Sequence, residues 1–179
     1  IDGDKMAAGL GALSKLLGEI KPHVIIQLAA VSHANRSNKD PYSTFDHSFR
    51  TLENSLDWAR SNSNLEQFIF FSSSMVYGNF KGDQVDEDNL CEPLGIYGAL
   101  KYGSEKIIIG YNQIFDLPYT IIRPSALYGE RCISRRVGQI FIENSLMDKE
   151  IVMSDKGREA LDFTYINDLI DGVAKCIGN

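Results

Sequence analysis

Cysteine, histidine and tryptophan are scarce in this 179-residue chain, at three, three and one. Cys91, Cys132 and Cys176 are far apart, and no CxxC or Cys/His spacing marks a zinc site, so no metal is expected. Thiols so scattered read as isolated residues in a reducing compartment, and the expected location is cytoplasmic. Long apolar runs are missing too. The longest, Val24–Ile26 with Leu28–Val31 and Phe68–Phe71, have strand length, well short of the roughly 20 residues of a membrane helix. There is no cationic surplus: 18 Lys and Arg face 24 Asp and Glu, a net charge of -6. With no positive charge to displace counterions, a nucleic acid is not an expected partner. A local cluster at Arg131, Arg135 and Arg136 still suits a small anion. The opening Ile1-Asp2-Gly3-Asp4 has no initiator Met and no signal-peptide core, so the chain reads as cut from something longer. Repeats, low-complexity segments and linkers are absent.

What remains is ordinary globular composition, 44% apolar and 23% charged, with enough length for a real core. Leu10, Leu13, Leu16, Leu17 and Ile20 recur at helical spacing and predict a helix over residues 5–20, stopped at Lys21-Pro22. Val24–Leu28 is a short β-branched run, the pattern of a buried parallel strand. A polar stretch runs to Pro41, and helical spacing resumes over residues 44–60. Gln67–Phe71 predicts a second buried strand, ending in Ser72-Ser73-Ser74. A long loop leads to a helix over 97–115, a strand over Tyr119–Arg123 and a helix over 135–147. Ile151–Met153 and Asp162–Thr164 read as short extended pieces, and a last helix begins near Asn167 or Asp168. The order α-β-α-β-α-β-α implies an α/β fold, a parallel sheet covered by helices on both faces.

Open parallel sheets bind ligands at the carboxyl ends of their strands. Here the strand ends carry polar residues, at Ala29–Ser37, Ser72–Tyr77 and Arg123–Tyr128. Tyr97-Gly98-Ala99-Leu100-Lys101 adds a phenol and an ammonium at i and i+4, on one helical face. A nearby cation favours the phenolate and lowers a phenol pKa from its usual value of about 10. With a Ser hydroxyl from a strand end, such a pair can move a proton off a substrate hydroxyl. The spacing alone recurs by chance in many helices; its position after a Ser-terminated strand gives it weight.

Four segments in this order resemble the extended short-chain dehydrogenase/reductase family, in its NAD-dependent epimerase/dehydratase branch of sugar-nucleotide enzymes. They are Val24–Ala30, Phe71–Gly78, Tyr97–Lys101 (the family's YxxxK) and Gly157–Asp168. The resemblance implies a Rossmann-like, doubly wound parallel sheet, incomplete because the first βαβ unit with its glycine-rich loop is not present, plus the start of a smaller substrate domain. Gly9-Leu10-Gly11 is no substitute for that loop, since no strand precedes it. The expected division is 1–130, part of the NAD(P)-binding half, and 131–179, the start of the substrate part with returning Rossmann elements. By itself this chain is expected to bind NAD weakly or not at all.

The resemblance also implies roles. Tyr97 is the acid/base, Lys101 holds the nicotinamide ribose and tunes Tyr97, and Ser73, with Ser74 as runner-up, is the catalytic hydroxyl. Asp4, Leu28, Ala29, Ala30, Ser48, Pro124 and Ser125 line the NAD (or NADP) site. Ser32, Ser74, Arg131 and Arg158 face the sugar nucleotide, and His33 is an even choice between sugar contact and plain loop. Met75 stands where the family's dehydratases carry an acid, which disfavours water loss. Leu161 replaces the usual diphosphate-gripping Arg, and Ala126 a common substrate-binding Asn. The expected activity of the intact protein is sugar-nucleotide epimerisation. The alternatives are a keto-sugar-nucleotide reductase and a non-catalytic sugar-nucleotide-binding protein. Broad apolar faces on helices 44–60 and 97–115, with Tyr102, Ile108, Tyr111 and Phe115, imply a homodimer.

Overall fold

A computed structural model describes residues 10–29, 34–80, 82, 84–132, 136–153, 157 and 160–179. They fall into two compact units, one of residues 1–123 with 176–179 and one of residues 124–175.

In the first unit, helix α1 (Leu10–Ile20) leads to strand β1 (Val24–Gln27). Two short helices follow, α2 (Ala34–Lys39) and α3 (Pro41–Phe45). A π-helical stretch (Asp46–Arg50) runs into α4 (Thr51–Arg60). Strand β2 (Gln67–Phe71), a 3-10 turn (Ser74–Tyr77), the long α5 (Gly95–Phe115) and strand β3 (Tyr119–Ile122) complete the order.

The three strands form a parallel sheet in the order β1-β2-β3. Ile25 pairs with Phe68, and Phe71 with Ile122. As the middle strand, β2 is covered on both faces, and Phe68, Ile69 and Phe70 are all buried. The β-branched run Val24–Ile26 was expected to be buried as well. Instead Ile26 is 41% exposed, because β1 is an edge among the described strands.

The core joins Leu13 and Leu17 of α1, Leu52, Leu56 and Ala59 of α4, Phe68 and Phe70 of β2, and Ile108 of α5. Burying one such side chain contributes about 1.5–3 kcal/mol. Ile108 is therefore a core residue and not part of an unpartnered face. Tyr111 also packs against this core.

Two helical segments differ from the sequence expectation. The stretch before Pro41 carries α2, whose Ala-Asn-Arg-Ser-Asn-Lys sequence has no apolar periodicity to announce a helix. Asp40 then caps α3 by accepting from the Ser43 N–H at 3.0 Å, with Pro41 at the first helical position. The long helix also starts ten residues before Thr51, at Pro41, and widens to a π-turn over 46–50. There the Thr51 hydroxyl donates to the His47 carbonyl at 2.5 Å, competing with the regular ladder. At its other end α5 stops at Asp116, which takes a left-handed conformation and donates its N–H to the Asn112 carbonyl at 2.9 Å.

In the second unit, β4 (Ala126–Tyr128) pairs in parallel with β5 (Phe163–Tyr165), with α6 (Val137–Leu146) between them in sequence and α7 (Ile166–Cys176) after them. Tyr128 and Tyr165 lie 5.4 Å apart, and the Tyr165 hydroxyl donates to the Glu130 carboxylate at 2.9 Å. Ile151–Met153, expected to be extended, forms no strand. No described helix is long and apolar enough to cross a membrane.

Candidate active site

The end of β2 is where chemistry gathers in the first unit. Ser72 continues the sheet by donating its N–H to the Ile122 carbonyl at 2.7 Å. Ser73 is extended, with φ -164° and ψ 150°, and caps the 3-10 turn: its Oγ accepts from the Met75 N–H at 3.2 Å. It is buried, and Ser74 beside it is half-buried. The turn closes at Gly78, where φ is +68° and a Cβ would fall 2.0 Å from the Glu92 carbonyl oxygen, so no side chain is admitted.

α5 is laid against this turn. Gly98 is buried where a Cβ would meet the Met75 carbonyl oxygen at 2.7 Å. The absence of a side chain lets the first turn of the helix touch the 3-10 backbone. Tyr97 and Lys101 thereby reach the end of β2. The Lys101 ammonium donates to the Phe71 carbonyl at 2.6 Å and sits 5.9 Å from the Tyr97 ring centroid and 4.9 Å from that of Phe70. Lys101 is only 7% exposed, and burial pushes its pKa down to about 8, with Glu105 opposing the shift.

Sequence reasoning passed over Glu105. It lies one turn beyond Lys101, so residues 97, 101 and 105 share a helical face. It is 1% exposed. Arg123, just past β3, grips its carboxylate in a two-pronged ion pair of 3.0 and 2.8 Å. Ser72 donates its hydroxyl to the same carboxylate. Arg123 further donates to the Tyr77 hydroxyl at 2.9 Å and to the Glu87 carbonyl at 3.2 Å. These bonds raise the Arg123 pKa above its already high value. One buried network thus joins β2, the 3-10 turn, α5 and the end of β3. The available signal was a Glu continuing the i, i+4 series of Tyr97 and Lys101.

The other expected site residues divide by location. Leu28 is exposed at the end of β1. Ala29 packs against the core, and its carbonyl accepts from the Gln27 side chain at 3.3 Å. Ser48 is buried within the π-helical stretch. Pro124 and Ser125 are half-buried in the second unit, and Arg131 there is exposed on a turn with φ +63°. Asp4, Ala30, Ser32, His33 and Arg158 lie outside the described residues. Among the described residues, no group of three His, Cys, Asp or Glu side chains could hold a metal ion.

A sheet of this topology, with a buried lysine one turn from a tyrosine at a Ser-terminated strand, defines a Rossmann-like protein of the epimerase/dehydratase kind. The sequence model of the NAD dependent epimerase/dehydratase family matches residues 4–179, and the chain belongs to that family. It is 32% identical over 158 residues to an uncharacterised UDP-glucose epimerase of Bacillus subtilis, covering 87% of this chain and 49% of the relative. It is 30% identical over 182 residues to UDP-glucuronate 4-epimerase 5 of Arabidopsis thaliana, covering 99% of this chain and 41% of the relative. Among solved structures, UDP-glucuronic acid 4-epimerase of Bacillus cereus, in complex with UDP-glucuronic acid and NAD, superposes with a TM-score of 0.85 at 32% identity, over 93% of this chain and 52% of that one. The chain spans about half the length of the curated relatives it matches.

Proposed function

We propose that the chain is part of a sugar-nucleotide epimerase that works with NAD, in which Ser73, Tyr97 and Lys101 carry the proton chemistry. The observation that carries this reading is the Lys101 ammonium, buried at the end of β2 and 5.9 Å from the Tyr97 ring, in a chain 32% identical to an epimerase solved with NAD and a UDP-sugar.

The donor set suits a ribose and a sugar hydroxyl. An ammonium has three N–H donors, of which one goes to Phe71. In the complex the others would bond ribose oxygens, and the Tyr97 and Ser73 hydroxyls would face the reacting oxygen. Leu28, Ala29 and Ser48, with Asp4 and Ala30, would line the rest of the dinucleotide, and Pro124 and Ser125 its nicotinamide end. Residues 1–130 would then belong to the dinucleotide-binding half and 131–179 to the start of the substrate side. The bound cofactor supplies a reversible hydride acceptor.

Tyr97 would take the proton from the sugar hydroxyl as that carbon is oxidised and would return it as the ketone is reduced. Lys101 keeps the phenolate favourable, and Ser73 hydrogen-bonds the same oxygen. Ser74, Arg131, Ser32 and Arg158 are the proposed substrate contacts. Met75, in the turn after Ser73, offers no acid or base for dehydration.

The relatives make UDP-glucose and UDP-glucuronic acid the first substrates to assay. The full-length protein is expected to interconvert the sugar at one carbon with no net change in reduced-nicotinamide absorbance. Tyr97→Phe should lower turnover at least about 10²-fold. Stoichiometric consumption of reduced cofactor would make the protein a reductase instead. Turnover unaffected by Tyr97→Phe would end both enzyme readings.

A further inference from the structure

Three side chains form a network beside the site: Glu105 and Ser72, both buried, and Arg123, half-buried. Burying an ion pair is costly unless its geometry is good and its remaining lone pairs are satisfied. Here both conditions are met. Arg123 makes two prongs to the Glu105 carboxylate, and Ser72 donates to it from the residue just before Ser73. The carboxylate is also the main charge acting on the Lys101 ammonium among the described residues.

We propose that Glu105 is a positioning residue for the site: clamped by Arg123, it holds the end of β2 through Ser72 and sets a carboxylate one helical turn beyond Lys101. The assignment rests on the epimerase reading for its meaning, since it is through Lys101 and Ser73 that Glu105 acts.

The pair is asymmetric in a useful way. Glu105 favours the lysine cation, which burial disfavours, and Arg123, ion-paired to Glu105 at 2.8 Å, brings a charge of the opposite sign. Removing the acid and removing the guanidinium should therefore move the Lys101 titration in opposite directions. Other titratable groups flank the pair. Tyr97 shares the helix, and Tyr77 faces Arg123 from the turn. Asp46, His47 and Arg50 come from the π-helical stretch packed on α5, where Asp46 and Arg50 pair with each other at 2.9 Å. None of these is a resolved influence on the ammonium.

The test is an NMR titration of lysine-labelled full chain, with the Lys101 signal assigned by its loss in Lys101→Arg. Glu105→Gln, equal in shape and without charge, is expected to lower the midpoint. Arg123→Gln is expected to raise it. If the network were only a brace, loosening either side would admit water and raise both midpoints toward the ordinary lysine value. An upward or absent shift in Glu105→Gln overturns the proposal. A downward or absent shift in Arg123→Gln overturns it too, which leaves the proposal open to refutation if Glu105→Gln does not fold. The readout needs neither cofactor nor turnover. Opposite shifts in a protein without epimerase activity would uphold the Glu105 assignment and defeat the reading of the reaction.

Discussion

A Cβ placed on Gly98 would stand 2.7 Å from the carbonyl oxygen of Met75. The helix bearing Tyr97 and Lys101 is thus in backbone contact with the turn that Ser73 caps. In an open helix, Gly→Ala gains about 0.5–1 kcal/mol. Here the neighbours are the Met75 carbonyl and, at 3.2 Å, the Pro93 side chain, so overpacking should dominate. Gly98→Ala is expected to destabilise by about 1–3 kcal/mol in urea unfolding and to depress turnover. A more stable, fully active variant would mean that the helix can shift without cost.

Lys101 should leave a mark on the pH dependence of stability. Its folded pKa of about 8 is below its ordinary 10.5. Between those values the unfolded chain holds more protons, so this group makes stability rise with pH. Its cost is present in full below about 8, at about 3 kcal/mol, and is gone above 10.5. Lys101→Met should therefore exceed wild type in stability most at neutral pH. Urea midpoints from about pH 7 to pH 10 should show the gap narrowing; a constant gap contradicts the burial of a charged amine.

Ser73 has two separable tasks. Its Oγ accepts from the Met75 N–H at 3.2 Å, so Ser73→Ala should cost about 1 kcal/mol, as for a lost cap. As a partner of the reacting oxygen it should also lower kcat about 10²-fold. Ser73→Thr keeps the hydroxyl and is expected to restore both. Full activity in the alanine variant, measured under conditions where it is folded, would remove Ser73 from the chemistry.

Leu56 is fully buried between α4 and the sheet. Leu56→Ala should cost about 2–5 kcal/mol through lost transfer energy and the cavity left behind. Thermal unfolding gives the number, and a loss under about 1 kcal/mol would mean that the core collapses around the site.

We also propose that the helical run 41–60 and α5 form the dimer face. Phe45, Ile107 and Phe115 remain exposed there, and a groove between the helices is lined by Phe45, Phe49, Ile107 and Tyr111. Phe45→Glu should convert a dimer to a monomer in light scattering of the full-length protein. A wild-type monomer would dismiss the idea outright.

The central elements were legible because their signals are local. Gln67–Phe71 and Tyr119–Ile122 read as strands from short apolar runs, and the long helix from its spacing. Its start was placed two residues late, since Leu94 and Gly95 carry no periodic signal. α2 was missed because it has no apolar stripe; its burial falls on Ser37, a residue type that usually signals a loop. β4 is three residues long, too short for period-two alternation to register, whereas the extended reading of Asp162–Thr164 overlaps β5. Ile108 read as surplus apolar surface and proved to be core, because a periodic face does not say which neighbour covers it.

From the sequence alone came the alternation of helices and strands, and the closeness of Tyr97 to Lys101, which four residues of α-helix guarantee. Only the tertiary structure decided what surrounds that pair. Glu105 is 18 residues from Arg123 and 33 from Ser72 along the chain. They meet because β2 and β3 pair in a register that sets Phe71 beside Ile122, while Gly98 lets α5 descend onto the turn. Helical periodicity repeats within a few residues and is written locally. Strand register and interhelical approach are collective outcomes of packing, and no short window of residues contains them.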